Sequence, residues 1–433
     1  AKVPKPVPSA HCIIAHKREG SNMTWSRRDI LVLTLGMLLS QKAWILLNSG
    51  KKRQRAYNSV RALYSLATMP AEDWGEYYKS LDQVMVKGKI ETAEDEQLVA
   101  AWYKIVNFFC DLGNLEKMYI PPLVDPSLGL EENQILIENK MALAAASGAW
   151  NATLINGLDE TLPRQYKQRY VVHKETGKKS ILPAKHNITS PSEYALREMD
   201  ILELGCGKGR ILHDMTMYTG GNGNGINIDR SQLDNAIHFA QSRDLFPHRL
   251  NFTHASLNDA YPFENESMDF AYEVGAFTYV IDKLAVFKEI YRVLRPGGAF
   301  CYNDWTLLES FDPADENQVS KLLKIKKFSG LIELHNPEEL AAVAEEAGFE
   351  VIWNGHGGYG AVPTSGLLGN MHHSFRYADS FMQFMVNYGL LPDGLAKGWK
   401  LLRDGKGVHI LKESMDKKWL DVGHIFLVRK PHR

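Results

Sequence analysis

Apolar and polar positions follow two different patterns along this chain. Between residues 199 and 310, short apolar runs of strand length are separated by segments whose apolar residues recur every three or four positions. The runs predict strands at 199–205, 223–228, 250–256, 268–274 and 297–305, and the segments predict helices at 210–219, 231–245 and 283–294. Strands separated by single helices predict an α/β fold with a doubly wound, mostly parallel sheet and right-handed crossovers.

The rest of the chain shows other patterns. Helical spacing recurs between residues 51 and 156, and the following polar stretch is rich in lysine and arginine. A second α/β segment ends in a predicted strand at 424–431. We therefore divide the chain into an irregular arm (1–25), a hydrophobic helix (26–50), a helical region (51–156), a basic insertion or linker (157–197), a Rossmann-like domain (198–310) and a C-terminal region (311–433).

The N-terminal apolar run favours contact with a membrane. Residues 30–47 are mostly apolar and are interrupted by Gln41 and Lys42, which places the run near the lower limit of about 17 residues for a bilayer span. Basic residues flank both ends, so charge does not orient it. Arg27 and Arg28 before the run resemble a twin-arginine targeting signal. A membrane anchor or retained signal and a buried amphipathic helix both remain open.

Composition narrows the classes of partner. The 433 residues carry a formal net charge of −1, which gives no support for nucleic-acid binding. Four cysteines are scattered without the spacing of a metal site or a disulfide framework. The pair His372 and His373 has no third ligand at useful spacing, so no metal is expected.

A glycine-rich turn follows the first predicted strand of the sheet. Residues 201–210 read ILELGCGKGR, and glycines at such a turn allow a nucleoside ligand to approach the backbone closely. The spacing of Gly205, Gly207 and Gly209 is tighter than the pattern typical of a pyrophosphate. Glu203 at the strand end offers a carboxylate to a cationic amino group. These features favour S-adenosylmethionine over a dinucleotide.

Chemistry-bearing residues converge at the ends of the predicted strands. Ligands of open α/β sheets bind at the carboxyl ends of the strands. Gly205, Asn227, Glu273 and Asp304 all fall at such ends. This convergence is a stronger indication of a binding site than any one motif.

Four stretches resemble the sterol 24-C-methyltransferase family, within the class I S-adenosylmethionine-dependent methyltransferases. They are LELGCGKGR, EIYRVLRPGGAF with CYNDWTLLESFDP, NPEELAAVAEEAGFEVI, and the tail from FRYADSFMQFMVNYGLLPDG to DVGHIFLVRKP. The resemblance implies a seven-stranded, Rossmann-like methyltransferase sheet and methyl transfer to a carbon of a sterol or other lipophilic alkene. With the strand ends, it implies a cofactor site formed by Glu203, Gly205, Cys206, Gly207, Gly209, Asn227, Ile228, Asp229 and Ser256. It leaves Glu273, Tyr279 and Asp304 as candidate catalytic residues.

The chain departs from the family where the chemistry takes place. Gly275 stands where the family has an acid, and Tyr279 where it has a histidine. The aromatic-acidic substrate segment of the family corresponds here to 109–114, which reads FCDLGN. Ser256 occupies the place of the family's adenine-contacting acid.

Two functions therefore remain open. The chain is either a membrane-associated C-methyltransferase with a lipophilic small-molecule substrate, or a catalytically degenerate subunit of a larger membrane complex, such as a photosynthetic one. The twin-arginine-like residues favour a chloroplast thylakoid over the endoplasmic reticulum or the mitochondrion. Methyltransferase activity is the favoured interpretation.

Overall fold

A seven-stranded sheet organises the described part of the chain. This computed structural model describes residues 89–92, 94–99, 103, 116–122, 124, 130–147, 150, 170–172, 179–181, 199–357, 384, 387–389 and 407–432. The strands are β1 (Tyr170–Val172), β2 (Lys179–Ile181), β3 (Asp200–Leu204), β4 (Asn222–Asn227), β5 (Leu250–His254), β6 (Met268–Val274), β7 (Leu294–Leu307), β8 (Glu350–His356) and β9 (Leu420–Arg429). The helices are α1 (Leu130–Ser147), α2 (Arg210–Thr219), α3 (Arg230–Gln241), α4 (Lys283–Val293), α5 (Glu316–Ser329), α6 (Pro337–Glu346) and α7 (Gly407–Asp416).

The sheet confirms the predicted mostly parallel, doubly wound architecture. Its strand order is β5-β4-β3-β6-β7-β9-β8. The pairs among β5, β4, β3, β6 and β7 are parallel, whereas β9 is antiparallel to β7 and to β8. Because β8 and β9 extend the same sheet, the domain boundary placed at residue 310 falls within a continuous structure.

Both faces of the sheet are buried, so successive residues of β3 and β6, which point to opposite faces, are nearly all buried. Along β3, Ile201 packs with α1 and α2 on one face, whereas Leu202 and Leu204 pack on the other face with residues of α4 and α6. Beyond its exposed first turn, helix α1 is buried at all but one position from residue 133 to residue 145, including polar residues such as Glu138. It therefore needs internal partners for those polar groups.

Local signals fix the ends of several elements. Asp229 caps α3, because its carboxylate accepts hydrogen bonds from the backbone N–H groups of Ser231 and Gln232. Gly220, with φ 78°, ends α2. Strand β4 ends at Asn227, so Ile228, predicted to lie in the strand, follows it.

The structure describes only part of the N-terminal half, for which helices and a membrane segment were predicted. Residues 94–99 are helical, and α1 confirms the predicted helix before the basic insertion. The insertion, predicted as a long loop, contains the antiparallel pair β1 and β2. The arm 1–25 and the hydrophobic segment 26–50 lie outside the described residues. Among the helices that the structure describes, none combines the length and apolarity needed to cross a bilayer.

Candidate functional site

The glycine turn between β3 and α2 requires glycine for two physical reasons. Gly205, Gly207 and Gly209 all have positive φ, at 69°, 51° and 69°. A Cβ on Gly205 would lie 2.6 Å from the Cβ of Ala276, and one on Gly209 would lie 2.7 Å from the ring of Phe252. The first clash would block the junction with the loop after β6, and the second would separate α2 from β5. Gly209 thus allows α2 to pack closely against Phe252 of β5.

A pocket lies above this turn at the carboxyl ends of β3, β4, β5 and β6. It encloses about 1060 Å³, including its mouth. Eight of the nine predicted cofactor residues line it: Glu203, Gly205, Cys206, Gly207, Asn227, Ile228, Asp229 and Ser256. Tyr279 lines it too, whereas Gly209, Glu273 and Asp304 do not belong to its lining.

Two carboxylates give the pocket acceptors for a cationic, hydroxyl-bearing ligand. Asp229 uses Oδ1 for the cap of α3, while its buried Oδ2 has no hydrogen-bond partner in the described part of the chain. Glu203 is buried, and its Oε2 is likewise unpartnered among the described residues. Burial raises the pKa of Glu203 well above its usual value, because water is withdrawn from the charged form. A bound ammonium group would reverse that penalty.

The predicted cofactor fits this arrangement. S-adenosylmethionine carries an ammonium group and ribose hydroxyls, which are donors that the unpartnered Oε2 of Glu203 and Oδ2 of Asp229 could accept. Asn227 is engaged elsewhere, because its amide donates to Gln232 Oε1 at 2.9 Å. Cys206 is buried and its thiol pKa is raised well above the usual value by that burial, so it is a packing residue and not a nucleophile.

A buried ionic network closes one side of the pocket. Lys117 Nζ lies 2.6 Å from Glu138 Oε1 and 2.8 Å from Asp214 Oδ2, and Tyr119 donates to Glu138 Oε1 at 2.7 Å. Burial raises the pKa of Glu138 to about 7, although Lys117 opposes the shift. Lys117 holds the pKa of Asp214 well below its usual value, against the effect of burial. The network joins residues 116–122 to α1 and α2.

Glu273 and Asp304 lie beneath the pocket. Glu273 is fully buried, and its carboxylate accepts hydrogen bonds from the backbone N–H groups of Ala276 at 2.8 Å, Phe277 at 3.1 Å and Asn303 at 3.1 Å. Asp304 is also buried and accepts from Trp305 N at 2.7 Å. Burial raises the pKa of both carboxyls, that of Asp304 to about 6. In this arrangement Glu273 supports the loop that carries Gly275 and Tyr279.

Tyr279 forms part of an aromatic wall. Its hydroxyl donates to the carbonyl of Gly330 at 2.9 Å and lies 2.7 Å from the hydroxyl of Tyr103. The two rings meet edge to face at 6.0 Å between centroids. Burial raises the pKa of Tyr279 well above its usual value, so this phenol stays protonated. Its ring, more than its oxygen, is available to the pocket.

Sequence reasoning missed four residues that the fold brings to the pocket or directly behind it: Glu96, Lys117, Tyr119 and Glu138. Each lies more than 60 positions before the glycine turn. A capping box between Thr92 and Asp95 could have located the helix that carries Glu96. For the other three, no short motif in the sequence signals the contact.

Comparisons with known proteins agree with the geometry. Residues 202–302 match a family described as a methyltransferase domain. The chain is 32% identical over 154 residues to methyltransferase phqN of Penicillium fellutanum, covering 35% of this chain and 46% of that protein. It is 28% identical over 172 residues to sterol 24-C-methyltransferase erg6 of Aspergillus fumigatus, covering 40% and 45%.

The matches cover only part of each protein. Cycloartenol-C-24-methyltransferase of Arabidopsis thaliana is 28% identical over 153 residues, covering 35% of this chain and 45% of that protein. The chain thus spans less than half the length of these relatives. Geranyl diphosphate C-methyltransferase from Streptomyces coelicolor A3(2) superposes with a TM-score of 0.41 at 13% identity, covering 54% of this chain and 70% of that one. By the family match, residues 202–302 carry a methyltransferase domain, and by sequence the chain is similar to part of the sterol 24-C-methyltransferases.

Proposed function

We propose that this protein transfers the methyl group of S-adenosylmethionine to a carbon of a sterol or another lipophilic alkene. One observation carries the proposal: unpartnered carboxylate oxygens of Glu203 and Asp229 share a pocket with a wall of apolar and aromatic side chains. The carboxylates suit a cationic nucleoside, and the wall suits a hydrophobic acceptor. The similarity to sterol 24-C-methyltransferases supports the acceptor class.

Different residues of the pocket would bind the cofactor and exclude water. Glu203 would hold the ammonium group and Asp229 the ribose hydroxyls, which fixes the orientation of the cofactor. The bound cofactor supplies a methyl group already activated by its sulfonium. Val99, Val274 and Ala276 line the same pocket and would exclude water, so the acceptor carbon meets the methyl group without competition from solvent.

Methyl transfer to an alkene would leave S-adenosylhomocysteine and a carbocation. The cation would lose a proton to solvent at the mouth of the pocket to restore an alkene, and until then the pocket must stabilise its charge. The wall formed by Tyr103 and Tyr279 offers aromatic faces for this purpose. Gly275 has φ 71° and nothing within 4 Å of the place of a Cβ, so space lies where the family has an acid. In this proposal Tyr279 faces the acceptor, and Glu273 and Asp304 act by positioning its loop.

Association with a membrane is part of the proposal. A lipophilic acceptor resides in a bilayer, and the apolar run 30–47 would keep the enzyme beside it. We place it in an organellar membrane, with the thylakoid favoured. Carbonate washing of membranes is the test: the protein should stay in the pellet, and its release into the wash would contradict this part.

Turnover tests the activity itself. Purified protein is incubated with radiolabelled S-adenosylmethionine and a panel of sterols, with Gly207→Trp as the control because a large side chain there would fill the cofactor pocket. We expect S-adenosylhomocysteine to bind with micromolar affinity, and label to enter at least one sterol in the wild type only. Absence of cofactor binding would refute the proposal.

The loss of the acid at Gly275 favours one alternative, a catalytically degenerate subunit of a larger membrane complex. Such a protein could still bind the cofactor. Binding without methylation of any sterol, together with migration of the detergent-solubilised protein in a large assembly, would support this alternative. Migration at the mass of the monomer would contradict it.

A further inference from the structure

We propose that Glu96 recognises the adenine of the cofactor, from a helical segment that lies more than 100 residues before the glycine turn. This assignment depends on S-adenosylmethionine being the ligand of the pocket. It makes the N-terminal region part of the binding site and gives that region a role in nucleobase specificity.

The order of the strands indicates where the adenine lies. Neighbouring strands β3, β4 and β5 carry Glu203, Asp229 and Ser256 at or just beyond their carboxyl ends. Adjacent strands are about 4.8 Å apart, so these positions are spaced like the consecutive parts of an elongated ligand. With the ammonium at Glu203 and the ribose at Asp229, the nucleobase lies beyond β5, beside Ser256.

Glu96 faces this end of the pocket. Its Oε1 accepts a hydrogen bond from Ser256 Oγ at 2.7 Å and another from the side-chain amide of Asn258. Both of these bonds go to Oε1, which leaves Oε2 to a ligand of the pocket that the residue lines. A carboxylate accepts but does not donate, so it suits the exocyclic amine of adenine and disfavours a carbonyl at the same position.

Local structure holds Glu96 in place. The helix 94–99 begins with a reciprocal pair of bonds: Asp95 N donates to Thr92 Oγ1 at 3.2 Å, and Thr92 N donates to Asp95 Oδ2 at 3.1 Å. Asn258 connects Glu96 to the loop after β6, because its amide also donates to the carbonyl of Tyr279 at 3.0 Å. A carboxylate held by Ser256 and Asn258 can discriminate between ligands, because moving it to accommodate the wrong ligand would break these two hydrogen bonds.

The test compares two nucleosides in three proteins by calorimetry. The full chain, Glu96→Gln and Glu94→Gln are titrated with S-adenosylhomocysteine and with S-inosylhomocysteine, whose base carries a carbonyl in place of the amine. Glu94 is an exposed glutamate of the same short helix and serves as the matched control. A melting curve without ligand checks that Glu96→Gln folds, since glutamine retains an acceptor for Ser256 and Asn258.

We expect the wild type and Glu94→Gln to favour the adenine compound by about tenfold or more, the value of one hydrogen bond to a charged group. Glu96→Gln should bind S-adenosylhomocysteine about tenfold more weakly and lose most of the preference. Unchanged affinity and preference in folded Glu96→Gln would overturn this assignment alone. Failure of the wild type to bind S-adenosylhomocysteine would overturn the proposed function as well.

Discussion

Replacing Lys117 with methionine tests whether the buried network supports the wall of the pocket. Methionine keeps most of the length of the side chain but removes the ammonium that contacts Glu138 and Asp214. The carboxylate of Glu138 would stay in an environment that excludes water, whereas that of Asp214 is partly exposed. The substitution therefore isolates the charge from the packing.

The expected cost follows from burial. The side chain of Lys117 is 6% exposed and that of Glu138 is 1% exposed. Removing one partner of such a buried pair destabilises a protein by about 3–5 kcal/mol. The same substitution at Lys412, in an exposed pair with Asp416, should cost about 0–1 kcal/mol and is the control.

The pKa of Glu138 predicts how the loss of stability in Lys117→Met changes with pH. Burial already raises the pKa of Glu138 to about 7, and without Lys117 it should rise further. The folded variant then takes up a proton at a higher pH than the unfolded chain, whose glutamates titrate near about 4.3. Protonation therefore favours the folded state as pH falls, so the loss of stability in Lys117→Met should be larger at pH 8 than at pH 6.

Urea unfolding of wild type, Lys117→Met and Lys117→Met/Glu138→Leu at pH 6 and pH 8 measures these effects. The double variant should be more stable than the single one, because the buried carboxylate at position 138 is gone. Lys117→Met within about 1 kcal/mol of wild type at pH 8 would refute the reasoning. A loss that grows as pH falls would refute the assignment of the effect to Glu138.

Three further outcomes are expected at the glycine turn and the pocket floor. Gly209→Ala should lower stability by at least about 2 kcal/mol in a thermal melt, because its Cβ would meet the ring of Phe252 at 2.7 Å; a neutral result would contradict this packing. Glu273→Ala leaves three backbone N–H groups without their acceptor and should cost about 3 kcal/mol in urea unfolding, and a cost near zero would show that the loop does not need it. Tyr279→Phe keeps the ring but loses the hydrogen bond to Gly330, so turnover should fall by about tenfold or less with the melting temperature little changed; complete loss would mean that the oxygen takes part in the chemistry.

Many residues that line the pocket could be predicted, because the sequence patterns that mark them are local. The turn that contains Gly205 and Gly207 follows an apolar strand, and both residues line the pocket as expected. Asp229 was predicted to take part because it follows the second predicted strand. It lines the pocket and its Oδ2 has no hydrogen-bond partner among the described residues, while its contact with the cofactor stays a prediction. Strand ends are set by neighbours in sequence, so the pattern located the carboxyl ends of β3 to β7 to within two residues.

The candidate catalytic residues were harder to predict, because the position of a residue at a strand end does not determine where its side chain points. Glu273 and Tyr279 lie six residues apart, yet the carboxylate points into the core while the ring lines the pocket. Asp304 follows the same rule as Glu273 and is buried beside it in the sheet. Only the pleat of the strands and the path of the following loop decide which side chain faces the ligand.

By itself, the sequence determined the alternation of strands and helices, the glycine turn and the class of ligand. These depend on periodicity and on backbone conformations that glycine alone adopts readily. The tertiary structure decided which distant residues complete the site: Glu96 beside Ser256, and Lys117 between Glu138 and Asp214. Those contacts join segments far apart in the chain, and their energy comes from burying opposite charges and matched hydrogen-bonding groups together, which no local pattern encodes.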